Sequence, residues 1–482
     1  MTTPTEAESR PPLARHHAIG IDVGTSALKV SVLTNGGLVR TFTSRGYPTN
    51  APASGYAEQD PDDWWHALGE VLDVVFSHYP QITADNTILG LTGQMHTTVL
   101  RDETGRVLRP AILWADARAE TECRELLARE PSWEEVTGCR PIPAFTSAHL
   151  RWLAAHEPET LRRAARLAVP KDDVRQRLGA GWATEPSDAS AMNLMDTRTD
   201  SWSAPLIAAT GASLGLFAPI VASAAITGTV QQLPSNTQTA AFLGVPVIAG
   251  AGDQAAQAIA LGVRDDGQLG MSVGTSGVAF QAAAAPRPGA FRHALPKTWL
   301  ALDSTHAAGL AIAWWSRVAN LSYHDFPAKI VRPDAPLFLP YLQGGRHGGG
   351  APGTLSDLRA THGAADIASA VMEGVAIELL RLARGVSGGT LGASAIGVGG
   401  HAAELPALRS VLAAGFDRPI WSSTRGSAYG AAVLAAQAAG WADLTPESLD
   451  GGGEAEAPDP ELVEYVAQRI IRYEALLEQL TA

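Results

Sequence analysis

Two short glycine turns of one kind, about half a chain apart, constrain this sequence more than anything else in it. Asp22-Val23-Gly24-Thr25-Ser26 ends the apolar run 18–22 and leads through Lys29 into a second run, 30–33. Gly274-Thr275-Ser276-Gly277 follows residues 269–273 and leads into 278–280. Each reads as strand, tight turn, strand. Such a turn can hold phosphate oxygens, because glycine lets the backbone approach and the amide dipoles point outward. One copy carries little weight. Two copies imply a duplicated fold that grips one nucleotide from both sides.

A chain of 482 residues exceeds what one core supports, so two domains are expected. The reading divides it into a disordered extension over 1–17, a first domain over 18–246 and a second over 247–482. The formal charge of −13 argues against nucleic acid and anionic membranes as partners. An anionic ligand must then be held by backbone amides, a metal ion and local cations. Cys123 and Cys139 are too few for a disulfide framework, so a reduced cytoplasm is the expected setting. The first 17 residues lack the apolar centre of a signal peptide, and no apolar run reaches membrane-spanning length.

The chain opens with a β-meander over 18–22, 28–34 and 38–47. Asp60-Pro61-Asp62-Asp63 then caps a helix whose apolar stripe includes Trp64, Leu68, Leu72 and Val75. A buried strand over 87–91 enters Thr92-Gly93-Gln94-Met95-His96. The second half starts at the short strand 245–250, followed by a small-residue helix over 254–261 and the second hairpin, 268–281. A long helix (366–384), a strand (393–398) ending in Gly399-Gly400, and helices over 405–416 and 427–439 complete it. A meander with its phosphate hairpin followed by alternating helices and strands, occurring twice, describes an α/β fold of two actin-like (ribonuclease H-like) ATPase domains around a central cleft.

Several segments carry a more specific likeness. They are Gly20-Ile21-Asp22-Val23-Gly24-Thr25-Ser26, Tyr56-Ala57-Glu58-Gln59-Asp60-Pro61 with Trp64-Trp65, Gly93-Gln94-Met95-His96 and Leu108-Arg109-Pro110-Ala111-Ile112-Leu113-Trp114. Gly252-Asp253, Gly274-Thr275-Ser276-Gly277 and Leu339-Pro340-Tyr341-Leu342 follow in order. Together they resemble the FGGY carbohydrate kinase family, and within it the kinases of xylulose. The resemblance runs from about residue 18 to residue 440.

Asp253 stands at a strand end among small residues, where it reads either as a helix N-cap or as a base. The resemblance implies the base, since phosphoryl transfer to an alcohol needs a group that accepts the hydroxyl proton. Asp22 reads as a turn-forming residue or as the group that holds Mg²⁺ through water. Gly24, Thr25, Gly274 and Thr275 would contact phosphates, and the resemblance puts the adenosine at Gly399 and Gly400. It gives Met95 and His96 to the sugar, with Gln254 on a further hydroxyl and Trp114 stacked on the sugar face. Trp114-Ala115-Asp116-Ala117-Arg118 also allows an internal Asp116–Arg118 ion pair.

Four stretches depart from the family pattern. His149 stands where a lysine is usual, and Gly344-Gly345-Arg346-His347 replaces a Gly-Glu-Arg loop. Gly399-Gly400-His401-Ala402-Ala403 and Gly353-Thr354-Leu355-Ser356-Asp357 differ from the usual glycine patterns. The reading is an ATP- and Mg²⁺-dependent kinase of D-xylulose, with small molecules as its partners and a homodimer as the family's frequent assembly. Another ketose or a pentitol (ribulose, sedoheptulose or glycerol), a non-kinase actin-fold ATPase, and a sugar-binding module remain open alternatives.

Overall fold

The structure is a computed structural model that describes residues 16–322, 325–327, 335–344, 349–389, 396–441 and 455–481. The expected extension lies outside these residues except at its end. His17 is already the first residue of β1, because its backbone pairs with Thr34 and Thr87.

In the first half the meander is β1 (His17–Val23), β2 (Leu28–Thr34) and β3 (Val39–Thr43). Helix α1 (Pro61–His78) starts where Asp60 accepts from the Asp62 amide, with Pro61 preset for the first turn. It buries Trp64, Leu68, Leu72 and Val75 on one face, as the apolar stripe predicts. Strand β4 (Thr87–Gly93) runs parallel to β1 and is buried throughout. The sheet is extended by β5 (Ile226–Thr229) and β6 (Pro246–Ile248), while β7 (Ala251–Gly252) also pairs with β4.

The split at 246/247 falls inside β6, which is hydrogen-bonded into the first sheet, and β7 belongs to that sheet too. The chain leaves the first sheet at Gly252. A short apolar strand reads the same whichever sheet it joins, so the sequence pattern could not make this assignment.

The second half repeats the plan. Strands β8 (Leu269–Val273) and β9 (Gly277–Ala283) form the second hairpin, joined by β10 (Ala290–Arg292) and β11 (Trp299–Thr305). Strand β12 (Ile396–Gly399) lies parallel to β8, and β13 (Ile420–Ser423) lies parallel to β12. The order β3-β2-β1-β4-β6 in one sheet thus matches β11-β9-β8-β12-β13 in the other. The duplication expected from the two turns is present in full.

Two small-residue helices lie between the sheets: α2 (Asp253–Ala260) and α3 (Ser427–Ala438). Gly20 on β1 is the reason α3 can sit so close, since a Cβ there would collide with the Ala428 carbonyl. Strand β10 bridges the halves. Its Arg292 amide donates to Ser190 Oγ at 2.9 Å, and the Arg292 guanidinium grips Asp200 through two bonds of 2.7 and 2.9 Å. Among the described residues no helix is long and apolar enough to cross a membrane.

Candidate active site

Asp22 is the next-to-last residue of β1, and its side chain is buried. Its Oδ2 accepts from Ser427 Oγ at 2.6 Å, which ties the first hairpin to the start of α3 across the two halves. Its Oδ1 is buried with no hydrogen-bond partner. Burial raises the Asp22 carboxyl above its usual range, against the pull of Ser427 and Lys29. A buried carboxyl oxygen without a donor is what a cation would complete, so this residue fits Mg²⁺, which takes few carboxylates.

Asp253 is the first residue of α2, with Gly252 in the capping position, so the N-cap alternative does not hold. It keeps a partial opening to solvent but is otherwise enclosed by protein. Burial, and then the charge of Asp22, push its carboxyl up to about 7. The Gln254 backbone and side chain act in the opposite direction by stabilising the ionised form. Gln254 Oε1 is itself buried without a partner and is free to accept a hydroxyl.

His96 has a left-handed backbone (φ 66°), the cost of turning sharply out of β4. Its Nδ1 lies 2.6 Å from the Ala191 carbonyl, which can only accept, so Nδ1 carries the proton and Nε2 is left as an acceptor. Burial lowers its basicity to about 4, and the ring stays neutral. Its ring packs on Phe145 (4.8 Å between centroids) and Phe291 (5.9 Å), the latter supplied by β10. Met95 belongs to the same cluster and lies against Gly252, one residue from Asp253.

A network of side chains fixes the first hairpin. Gln59 Nε2 donates to the Thr25 carbonyl at 2.6 Å, and Gln94 Nε2 and Trp64 Nε1 both donate to Gln59 Oε1 at 3.0 Å. Tyr47 donates its hydroxyl to the Gly24 carbonyl. Trp114 lines the cleft, and its indole N–H donates to Thr25 Oγ1 at 3.0 Å, a tether the sequence did not predict. Gln59, Tyr47 and Ser427 are therefore site residues that sequence reasoning missed. Gln59 alone had a signal, its place in the stretch 56–61.

At the second hairpin, Leu310 N donates to the Thr275 carbonyl at 2.9 Å, and Gly274 N donates to Ser276. Gly400 (φ 92°) lies against this hairpin, its Cβ position only 2.6 Å from the Val273 carbonyl. Gly399 ends β12 beside Gln257. The structure thus groups Gly274 and Thr275 with Gly399 and Gly400, and Asp22, Gly24 and Thr25 with the Gln94–His96 segment.

Between the halves opens a cleft of about 850 Å³. His96, Trp114 and Phe145 line it from one side, and Phe291, Asp303 and Ser304 from the other. Asp116 and Arg118 are not part of it. They form the expected ion pair at 2.7 Å, joined by Glu58. His149 is fully buried and its Nδ1 lies 2.9 Å from Thr98 Oγ1, so it occupies the packing behind the site. Of the loop 344–347, only Gly344 falls among the described residues.

The family profile described as the FGGY family of carbohydrate kinases, N-terminal domain, matches residues 17–260. The chain belongs to the FGGY family of carbohydrate kinases. It is 34% identical over 377 residues to the xylulose kinase of Escherichia coli K12, spanning 75% of this chain and 77% of that one. It is 30% identical over 486 residues to the xylulose kinase of Bacillus subtilis 168, spanning 96% and 95%. The crystal structure of a xyloylose kinase from Brucella ovis superposes with a TM-score of 0.83 at 29% identity, covering 96% of this chain and 99% of that one. The two-domain actin-like fold of a carbohydrate kinase is thereby shown.

Proposed function

We propose that this kinase transfers the γ-phosphate of ATP to D-xylulose, giving D-xylulose 5-phosphate and ADP. The observation that carries the reading is Asp253: a carboxyl raised to about 7, stabilised when ionised by Gln254, next to the Gly252 on which Met95 packs, and feeling the charge of Asp22. A base of that strength can take the hydroxyl proton near neutral pH as the oxygen attacks the γ-phosphorus. The bond to the β–γ bridging oxygen breaks, and ADP leaves with that electron pair. The acceptor is assigned from the relatives named xylulose kinase.

His96 Nε2 accepts one sugar hydroxyl and Gln254 Oε1 another, with Met95 and the Trp114 ring as walls. The amides of Gly24, Thr25 and Thr275 take phosphate oxygens from the two hairpins, Gly274 allows their close approach while its own amide is held by Ser276, and the Gly399–Gly400 turn receives the adenosine. Mg²⁺, held by Asp22, would neutralise phosphate charge in a protein whose net charge is −13. The free thiols of Cys123 and Cys139 suit a reducing cytoplasm.

A coupled ADP-release assay with Mg-ATP and a panel of ketoses and polyols tests this reading. Release that peaks with D-xylulose is expected. A peak with ribulose, a pentitol or glycerol replaces the acceptor, and release indifferent to any sugar overturns the kinase reading.

A further inference from the structure

Asp253 follows a turn, Gly250-Ala251-Gly252, that has almost no side chain to hold it in place. On one face β7 pairs it with Thr92 and Gly93 of β4. On the other face lies a buried polar clamp. The Gly252 amide donates to Ser187 Oγ at 2.9 Å, and the Gly250 amide donates to the Ser223 carbonyl at 2.9 Å. Both serines converge on one carboxylate. Ser187 Oγ donates to Glu185 Oε1 at 2.7 Å, and Ser223 Oγ donates to Glu185 Oε2 at 2.8 Å. The Ser187 and Asp188 amides also donate to Glu185, each at 2.9 Å. Lys171 Nζ stands 3.5 Å away, and Glu185, Ser187 and Lys171 are all without solvent exposure.

We propose that Glu185, acting through Ser187 and Ser223, is a positioning residue that fixes the turn carrying Asp253. The assignment rests on Asp253 being the base. A glycine-flanked turn has the widest choice of backbone conformations, so its orientation must be imposed by hydrogen bonds from outside. One carboxyl group that accepts from both serine hydroxyls and from two backbone amides fixes all of these groups relative to one another. Displacing the base by a fraction of its bond length to the sugar hydroxyl costs rate without costing affinity.

The test uses Ser187→Ala and Glu185→Gln in the full-length chain, and Ser187→Ala combined with Asp253→Asn. Ser187→Ala is expected to lower kcat about tenfold to hundredfold, with KM for ATP and for D-xylulose changed less than about twofold. Glu185→Gln should act in the same direction. In the Asp253→Asn background, Ser187→Ala should change the residual rate by less than about twofold, since the group it positions is gone. Full kcat in Ser187→Ala with a lowered Tm overturns the proposal, as does an equal loss in the Asp253→Asn background. Wild-type rate in Asp253→Asn alone instead defeats the base assignment, and the clamp's catalytic role with it.

Discussion

At the scale of single residues, the site works by making two carboxyls uncomfortable and one imidazole neutral. Asp253 is held at about 7 against an ordinary value of 3.8. Between those values the folded state binds more protons than the unfolded one, so its contribution to stability declines as pH rises from about 4 to about 7. Asp253→Asn removes that cost. Thermal melts should therefore show a higher Tm for the variant at pH 8 and a gain that vanishes near pH 4. His96 presents Nε2 as an acceptor only, because the Ala191 carbonyl fixes the tautomer. His96→Asn tolerates the left-handed backbone but withdraws that acceptor. Steady-state kinetics should show KM for the sugar raised about tenfold, the worth of one buried hydrogen bond, with KM for ATP unchanged.

Among the elements, the hairpins, the capped helix α1 and the small-residue helices were legible because each follows from local pattern. Apolar alternation bounded by Gly-Thr-Ser turns gives β1–β2 and β8–β9, and Asp60-Pro61 gives the start of α1. What the sequence hid are contacts between distant segments. Ser427 meets Asp22 across 405 positions, and the Gly252 amide meets Ser187 across 65. No periodicity marks such partners. Trp114 shows the same limit, since its tether to Thr25 spans 89 positions and adds an anchoring task to the stacking expected of it. Strand β10 is the element that most depends on such contacts, stitched to the first half through Arg292, Asp200 and Ser190. Arg292→Ala should cost about 1–2 kcal/mol, read by urea unfolding, because the partner Asp200 keeps partial access to water.

For the whole molecule, the two halves repeat one plan and divide the labour between them. The first sheet carries Asp22 and, at the end of β4, leads into Met95 and His96. The second carries the other hairpin and the Gly399-Gly400 turn. Asp253 begins the helix by which the chain leaves the first sheet. The cleft of about 850 Å³ is lined by His96 and Trp114 from the first half and by Phe291, Asp303 and Ser304 from the second, and neither Asp253 nor Asp22 is among its lining residues. The central claim is that Asp253 takes the proton of the attacking hydroxyl. Its most direct test is the rate of phosphoryl transfer in a single turnover with D-xylulose and Mg-ATP, followed from pH 5.5 to 9 in wild type and Asp253→Asn. The account predicts a wild-type rate that climbs through about pH 7 to a plateau, and a variant that is flat with pH and slower by about 10²–10⁴. A variant within tenfold of wild type that keeps the same pH profile would contradict it.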